Sequence, residues 1–357
     1  MSVGRILAMP LTLAAVGLGC QSQNAVHVSG SQDPLPVLWD PTTDAPTADG
    51  STLAAVSTSA HNLAVLTFNM QHRDRPAELA AMARYLGDVE GIPDFILCQE
   101  VLFKRTKWQG FDNTAAVLAD ELGCYVEGTN RRGNREGVAI VSRHPFVFYD
   151  ERHLKARTSS LWMGFPRVSV LGEFIVPGVG RVRVVSTHLA YQPWEGHIRR
   201  KQLNETLAWM AEREALRPAV VTIFGGDFNL RPGAPEFAPL ADPRITGRLR
   251  FMDSNTDRPT LRGFGGKPVK RVDYIFVSAP GADVRFLGER LLFPDGLWHT
   301  DGSSRFHPSD HLPVLHEYAM SGQSIAAGAT VSSAPYGPPG RHSLSYDPPD
   351  SSGGSDR

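Results

Sequence analysis

The sequence predicts an α/β fold with stacked sheets, and three observations lead there. Seven apolar runs rich in Val, Ile and Phe recur along the middle of the chain. Helical patterns lie between some of them. At 357 residues and 41% hydrophobic, the chain has material for a sizeable core. Strands and helices interleaved in this way argue against an all-β fold.

The elements follow in order. Residues 1–20, "MSVGRILAMPLTLAAVGLGC", place Arg5 before an apolar stretch from Ile6 to Leu18. That stretch is too short for a spanning helix and reads as a signal peptide. Small residues lead into Cys20 as in a bacterial lipoprotein signal, although Gly17 stands where such signals usually carry Leu. Export to the cell envelope or beyond is therefore expected, by lipidation at Cys20 or by plain secretion, ahead of a cytosolic apolar N-terminus. Residues 21–60, rich in Pro, Ser, Thr, Asp and Ala, read as a tether. The domain itself is expected over 61–320.

Within it, strand-like runs fall at 63–69, 94–101, 137–143, 167–176, 181–189, 219–229 and 271–278. Helical patterns fall at 76–90, 112–122 and 195–214. In the last, Leu203, Leu207 and Met210 line one face. Residues 321–357 are too polar and too rich in Pro, Gly and Ser to order themselves, and read as a disordered tail. Lys plus Arg number 36 against 37 for Asp plus Glu, so the net charge of −1 neither advertises nor excludes a nucleic-acid partner. Cys98 and Cys124 sit in apolar contexts, either paired or as two buried thiols, and their spacing matches no zinc site.

Several runs end on or next to a polar side chain. Asn69, Glu100, His188, and the pair Asp227 and Asn229 stand at strand ends. Asp273 stands at a strand start, and Asp310 and His311 precede an apolar run. Strand ends are where α/β folds place their sites. Singly, Asp and Asn also shape turns. Together, oxygen donors without cysteine suit a hard cation such as Mg²⁺ or Mn²⁺. Asp, Asn and His can orient and deprotonate a water for attack on phosphorus. Glu100, Asp227 and His311 around a divalent ion would make a phosphoester hydrolase.

The segments "FN", "QE", "STHL", "GGDFN", "VDYIFV" and "SDHLPV" occur in that order over residues 63–318. In this the chain resembles the endonuclease/exonuclease/phosphatase superfamily, which includes pancreatic-type deoxyribonucleases, abasic-site endonucleases, bacterial sphingomyelinases and inositol-phosphate 5-phosphatases. The resemblance implies a four-layer α/β/β/α sandwich of two packed mixed sheets in a single domain. By position, Glu100 matches the metal-binding Glu, with Asn69 beside it and Asp310 associated with the metal. Asp227 and Asn229 match the pair that orients the attacking water. His311 matches a catalytic histidine and Asp273 the carboxylate that orients it. His188 matches the second histidine of the deoxyribonuclease-like branch, with Glu136 as its partner. On an extended backbone, Asp227 and Asn229 would point the same way and Phe228 into the core.

The substrate is less legible. The chain lacks the Trp before the Gly-Asp and the Asp-Arg pair of the 5-phosphatase branch, and export argues against an abasic-site enzyme. A monomeric nuclease meeting phosphates through "NRRGNR" (130–135) and "RRK" (199–201) is one reading. His197 and Arg200 are further candidates beside the phosphate. A sphingomyelinase-like phospholipid phosphodiesterase is the other. It would touch a membrane through the loops at 159–166, 191–194 and 293–310. A non-catalytic surface protein on the same scaffold is disfavoured, because the residue set is intact.

Overall fold

The apolar runs become the inner strands of two six-stranded sheets. The computed structural model describes residues 61–103, 113–130, 136–157, 166–263, 266–280, 282–298 and 304–321. The chain divides into two units, Met1–Ala55 and Val56–Arg357, and every described residue lies in the second. The signal peptide, Cys20, the tether and almost all of the tail, with the loops at 131–135 and 159–165, lie outside the described residues.

In chain order, β1 (His61–Asn69), β2 (Phe95–Leu102), β3 (Tyr125–Asn130) and β4 (Glu136–Ser142) begin the first sheet. The chain then supplies β5 (Phe146–Arg157), β6 (Pro166–Val176), β7 (Gly180–His188), β8 (Val221–Asp227) and β9 (Phe251–Asp253) to the second. A hairpin follows, β10 (Leu261–Arg262) and β11 (Pro268–Lys270), before β12 (Asp273–Ser278) rejoins the second sheet. β13 (Asp283–Leu291) and β16 (Val314–Ser321) complete the first, with the short pair β14 (Leu297–Trp298) and β15 (Arg305–Phe306) between them. The strand orders are β13-β16-β1-β2-β4-β3 and β5-β6-β7-β8-β12-β9. Both sheets are mixed: β1 with β2 and β7 with β8 are parallel, their other neighbours antiparallel.

Three apolar cores separate four layers. Val65, Leu97, Ile140, Val184 and Ile223 meet between the sheets. Their chain neighbours Leu66, Ile96 and Val141 face helices α1 (Pro76–Tyr85) and α2 (Thr114–Leu122). Val185 and Phe224 face α3 (Gly196–Leu216) through Leu203, Leu207, Trp209 and Met210. Successive strand residues point to opposite faces. A strand covered on both faces is therefore apolar throughout, which is why these runs read as unbroken. Full burial of each such side chain contributes about 1.5–3 kcal/mol.

The helices carry local signals too. Pro76 sits in the first turn of α1, and Leu79, Met82, Ala83 and Leu86 recur along its buried face. The predicted 76–90 helix finishes in a wider π-helical turn, Leu86–Glu90. Asn113 caps α2 by accepting the Ala116 N–H at 2.9 Å, and Gly123, at φ 65°, ends it. Strands β3, β5, β9 and β13 carry no unbroken apolar run, and all four are sheet edges. Cys98 and Cys124 are free thiols. Burial pushes the Cys98 thiol up to about 12.

Candidate active site

Parallel and antiparallel register gathers the polar strand ends at one edge of the sandwich. Asn69 pairs with Gln99, next to Glu100. His188 pairs with Asp227, and Asp227 with Asp273, so three functional residues stand side by side on β7, β8 and β12. Adjacent strands lie about 4.8 Å apart, within reach of short side chains. Glu136 opens β4 opposite Leu102.

Glu100 is aimed by a defect in the sheet. The β2–β4 register shifts between Gln99 and Val101, and Glu100 takes φ 52°. The extra residue of a bulge redirects its side chain, at a strain of about 1–3 kcal/mol. Gly226 serves closeness: a Cβ there would lie 2.0 Å from the Thr187 carbonyl oxygen, so only glycine lets β8 approach β7.

Asp227 is the hub. It is 1% exposed. Its Oδ2 accepts from Asn69 Nδ2 at 3.1 Å and lies 3.5 Å from His188 Nε2 and 3.7 Å from His311 Nε2. Burial pushes its carboxyl up, to about 7, with His311 opposing and Asp273 reinforcing. His311 Nδ1 contacts Asp273 Oδ2 at 2.9 Å. Burial pulls this imidazole down, but Asp273, by charge and hydrogen bond, outweighs it and lifts the group to about 10. Thr260 fixes the carboxylate in turn. Its hydroxyl donates to Asp273 Oδ2 at 2.5 Å and accepts the Val272 and Asp273 N–H groups. The loop that carries Thr260 also pairs with the histidine segment, since Leu312 N–H donates to the Thr260 carbonyl.

A second group lies alongside. His188 Nδ1 is 3.5 Å from Glu136 Oε1, and donor atoms of Glu100, Glu136 and His188 converge closely enough to share one ion. Arg167, at 3% exposure, reaches Glu136 Oε1 at 3.4 Å. Burial lowers this guanidinium to about 10, against the pull of Asp227 and Glu100, so it stays charged. His72 contacts both carboxylates, Glu100 at 3.2 Å and Glu136 at 3.2 Å.

Two expectations need correction. Asn229 does not continue an extended strand beside Asp227. β8 ends at Asp227, Asn229 turns left-handed at φ 52°, and its N–H donates to Asp227 Oδ1 at 2.8 Å. The short polar side chain of Asp227 closes this turn, and Asn229 Nδ2 faces the Leu189 carbonyl at 3.3 Å. Phe228 does enter the core, among Phe224, Phe237, Tyr274 and Phe276. Asn69 turns its amide nitrogen, not its oxygen, to Glu100 at 3.1 Å, because its oxygen accepts the Gln71 N–H. Its amide nitrogen thus bridges the Glu100 and Asp227 carboxylates. In "RRK", Arg199 is 5% exposed and holds the Ala190, Gln192 and Pro193 carbonyls, so it cannot meet a phosphate. His197 and Arg200 lie exposed on α3. Asp310 sits at the rim, its Oδ1 4.0 Å from His311 Nε2.

Sequence reasoning passed over His72, Arg167 and Thr260. Arg167 had a signal, a lone charge heading the apolar run "RVSVLGEFIV". The donor set fits a divalent cation. Carboxylates and imidazoles converge without cysteine.

The profile of the Endonuclease/Exonuclease/phosphatase family matches residues 66–311. A search of the curated proteins found no match. Among solved structures, a Bacteroides thetaiotaomicron endonuclease/exonuclease/phosphatase family protein is 17% identical, with a TM-score of 0.56 over 73% of this chain and 96% of its own. ANGEL2, described as a 2',3'-cyclic phosphatase and solved with adenosine-2',3'-vanadate, is 17% identical, with a TM-score of 0.54 over 73% and 96%. A humanized D. rerio TDP2 is 18% identical, with a TM-score of 0.53 over 72% and 98%. At these identities the likeness is one of fold.

Proposed function

The chain belongs to the endonuclease/exonuclease/phosphatase family, and from that premise we propose that it is an exported, divalent-metal-dependent phosphodiesterase acting on nucleic acid. The observation that carries this reading is Asp227. It is a buried carboxylate with a pKa near 7, lying between two imidazoles each held by a further carboxylate. A proton acceptor poised near neutral pH suits activation of water.

Position supports the following roles. Asp227 takes the proton of the attacking water, and Asn229 orients that water. His311, fixed by Asp273 and Thr260, carries positive charge toward the phosphoryl group and its leaving oxygen. His188, set by Glu136, serves the opposite side. Arg167 offers a buried positive charge to the phosphorane-like transition state. Glu100 would hold Mg²⁺ or Mn²⁺, which would supply Lewis-acid stabilisation of phosphoryl oxygens when bound. Asp310 would act from the rim.

The lean toward nucleic acid draws on the deoxyribonuclease-like pairing of His188 with Glu136, and on a neighbour named a 2',3'-cyclic phosphatase. Export rests on the leader-like first twenty residues. Within it, an anchor through Cys20 and a monomeric enzyme complete the reading. One observation favours phospholipid as a second substrate class: Tyr191, Trp194 and Trp298 are 54%, 67% and 61% exposed, and such side chains suit a membrane interface. Side-by-side turnover of DNA, RNA and sphingomyelin in Mg²⁺ tests the choice. Preferential nucleic-acid cleavage is expected, and turnover confined to sphingomyelin would overturn the lean.

A further inference from the structure

His72 lies outside the set of residues assigned so far, yet it touches two of them. Its Nδ1 is 3.2 Å from Glu100 Oε2 and its Nε2 is 3.2 Å from Glu136 Oε2. An imidazole that ligates a cation through one ring nitrogen keeps an N–H on the other to give to a carboxylate. His72 has a carboxylate oxygen at each ring nitrogen, one placed to share an ion with Nδ1 and one placed to accept from Nε2.

The spacing agrees with that picture. Neighbouring ligands around an octahedral ion with bonds near 2.1 Å stand about 3.0 Å apart, close to the 3.2 Å between His72 Nδ1 and Glu100 Oε2. A histidine on a metal almost always gives its other N–H to a carboxylate or carbonyl, which fixes the ring. Glu136 occupies that place. The backbone is set for it as well. Gln71 and His72 are consecutive non-glycine residues at φ 47° and 54°, a costly pair outside functional sites. They are held by the Gln71 N–H on Asn69 Oδ1, by the His72 N–H on the Glu100 carbonyl at 3.2 Å, and by the Asp310 N–H on Gln71 Oε1. Among the described residues, no lysine or arginine side chain pairs with Glu100.

We propose that His72 is a nitrogen ligand to the cation held at Glu100, so that the site takes Co²⁺ or Zn²⁺, and to a lesser degree Mn²⁺, in preference to Mg²⁺. Imidazole suits Zn²⁺ and its neighbours, Mn²⁺ binds imidazole more weakly, and Mg²⁺ keeps to oxygen. Glu136 then orients the ligand through Oε2 and His188 through Oε1, joining the cation site to the acid–base pair. The inference rests on the cation reading of Glu100 made above.

The test is electron spin-echo spectroscopy of the full chain loaded with one equivalent of Mn²⁺. Nitrogen modulation from a bound imidazole is expected in the wild type and absent in His72→Ala and His72→Gln. Both variants should still bind Mn²⁺, about tenfold or more weakly, with Mg²⁺ affinity changed much less. The ring is half-exposed, so folding should survive, and circular dichroism checks it. Mn²⁺ binding without nitrogen modulation, or modulation that persists in His72→Ala, overturns the assignment and leaves Glu100 as an oxygen-only site. Mn²⁺ binding that is equal in wild type and Glu100→Gln overturns the cation reading together with this one.

Discussion

Two regions of this molecule bury charge, and they do so in opposite ways. Behind the second sheet, Arg183 is fully buried between Glu173 and Glu214, at 2.8 and 2.6 Å. Arg181 and Arg217 add to Glu173, Arg248 adds to Glu214, and Arg183 also caps the Arg213 and Arg217 carbonyls at the end of α3. Every carboxylate there has a guanidinium. A similar closed set joins Arg271, Glu289 and His316, which with Thr256 hold the Glu289 carboxyl far below its usual range despite burial. At the site, Glu100, Glu136, Asp227, Asp273 and Asp310 lie chiefly against the imidazoles of His72, His188 and His311, with Arg167 reaching Glu136. Carboxylates paired to guanidinium hold the fold together. Carboxylates set against imidazoles are arranged for proton transfer and for a cation.

The comparison can be broken by substitution. Asp227→Ala and His311→Ala should each lower turnover of bis-p-nitrophenyl phosphate by about 10²–10⁴-fold with the fold intact, since positioned acid–base groups contribute that much. Wild-type rates in folded variants would remove both assignments. Arg167→Met should cost about 10²–10³-fold in kcat. Its counterpart Arg183→Met should leave kcat unchanged and destabilise by about 3–5 kcal/mol, by removing the one fully buried partner that Glu173 and Glu214 share. Urea unfolding beside initial rates reads both effects, and a reversal would show that the partners of the carboxylates do not separate the regions.

A smaller effect sharpens the contrast. Asp227 carries a raised pKa, so the folded, metal-free protein binds more protons there than the unfolded chain between about pH 4 and 7. Its contribution to stability is therefore lost as pH rises through that window. The melting temperature of metal-free wild type should fall relative to Asp227→Asn from pH 4 to 7. A difference that is flat with pH would contradict the raised value.

How much of this was legible in the sequence depended on where each residue lies. The inner strands are apolar on both faces, so their runs stood out. The missed strands are the edges. In β5, "FVFYDERHLKAR", half-exposed positions admit Asp150, Glu151, Arg152 and Lys155, and no continuous run forms. The site was legible where polar residues stood at strand ends, as at Asp227 and His311. It was not legible where backbone irregularity does the aiming. The left-handed turn at Asn229, and the left-handed pair that brings His72 to Glu100, leave no periodic trace. Arg167 was hidden by ordinariness, one arginine among many until folding buries it.

The most direct test of the account is hydrolysis of bis-p-nitrophenyl phosphate by the purified protein, assayed in Mg²⁺ or Mn²⁺, after EDTA, and after the ion is restored. Loss with EDTA and recovery on re-addition is the predicted result. A rate untouched by EDTA would mean that the site carboxylates do not hold the ion on which the mechanism depends.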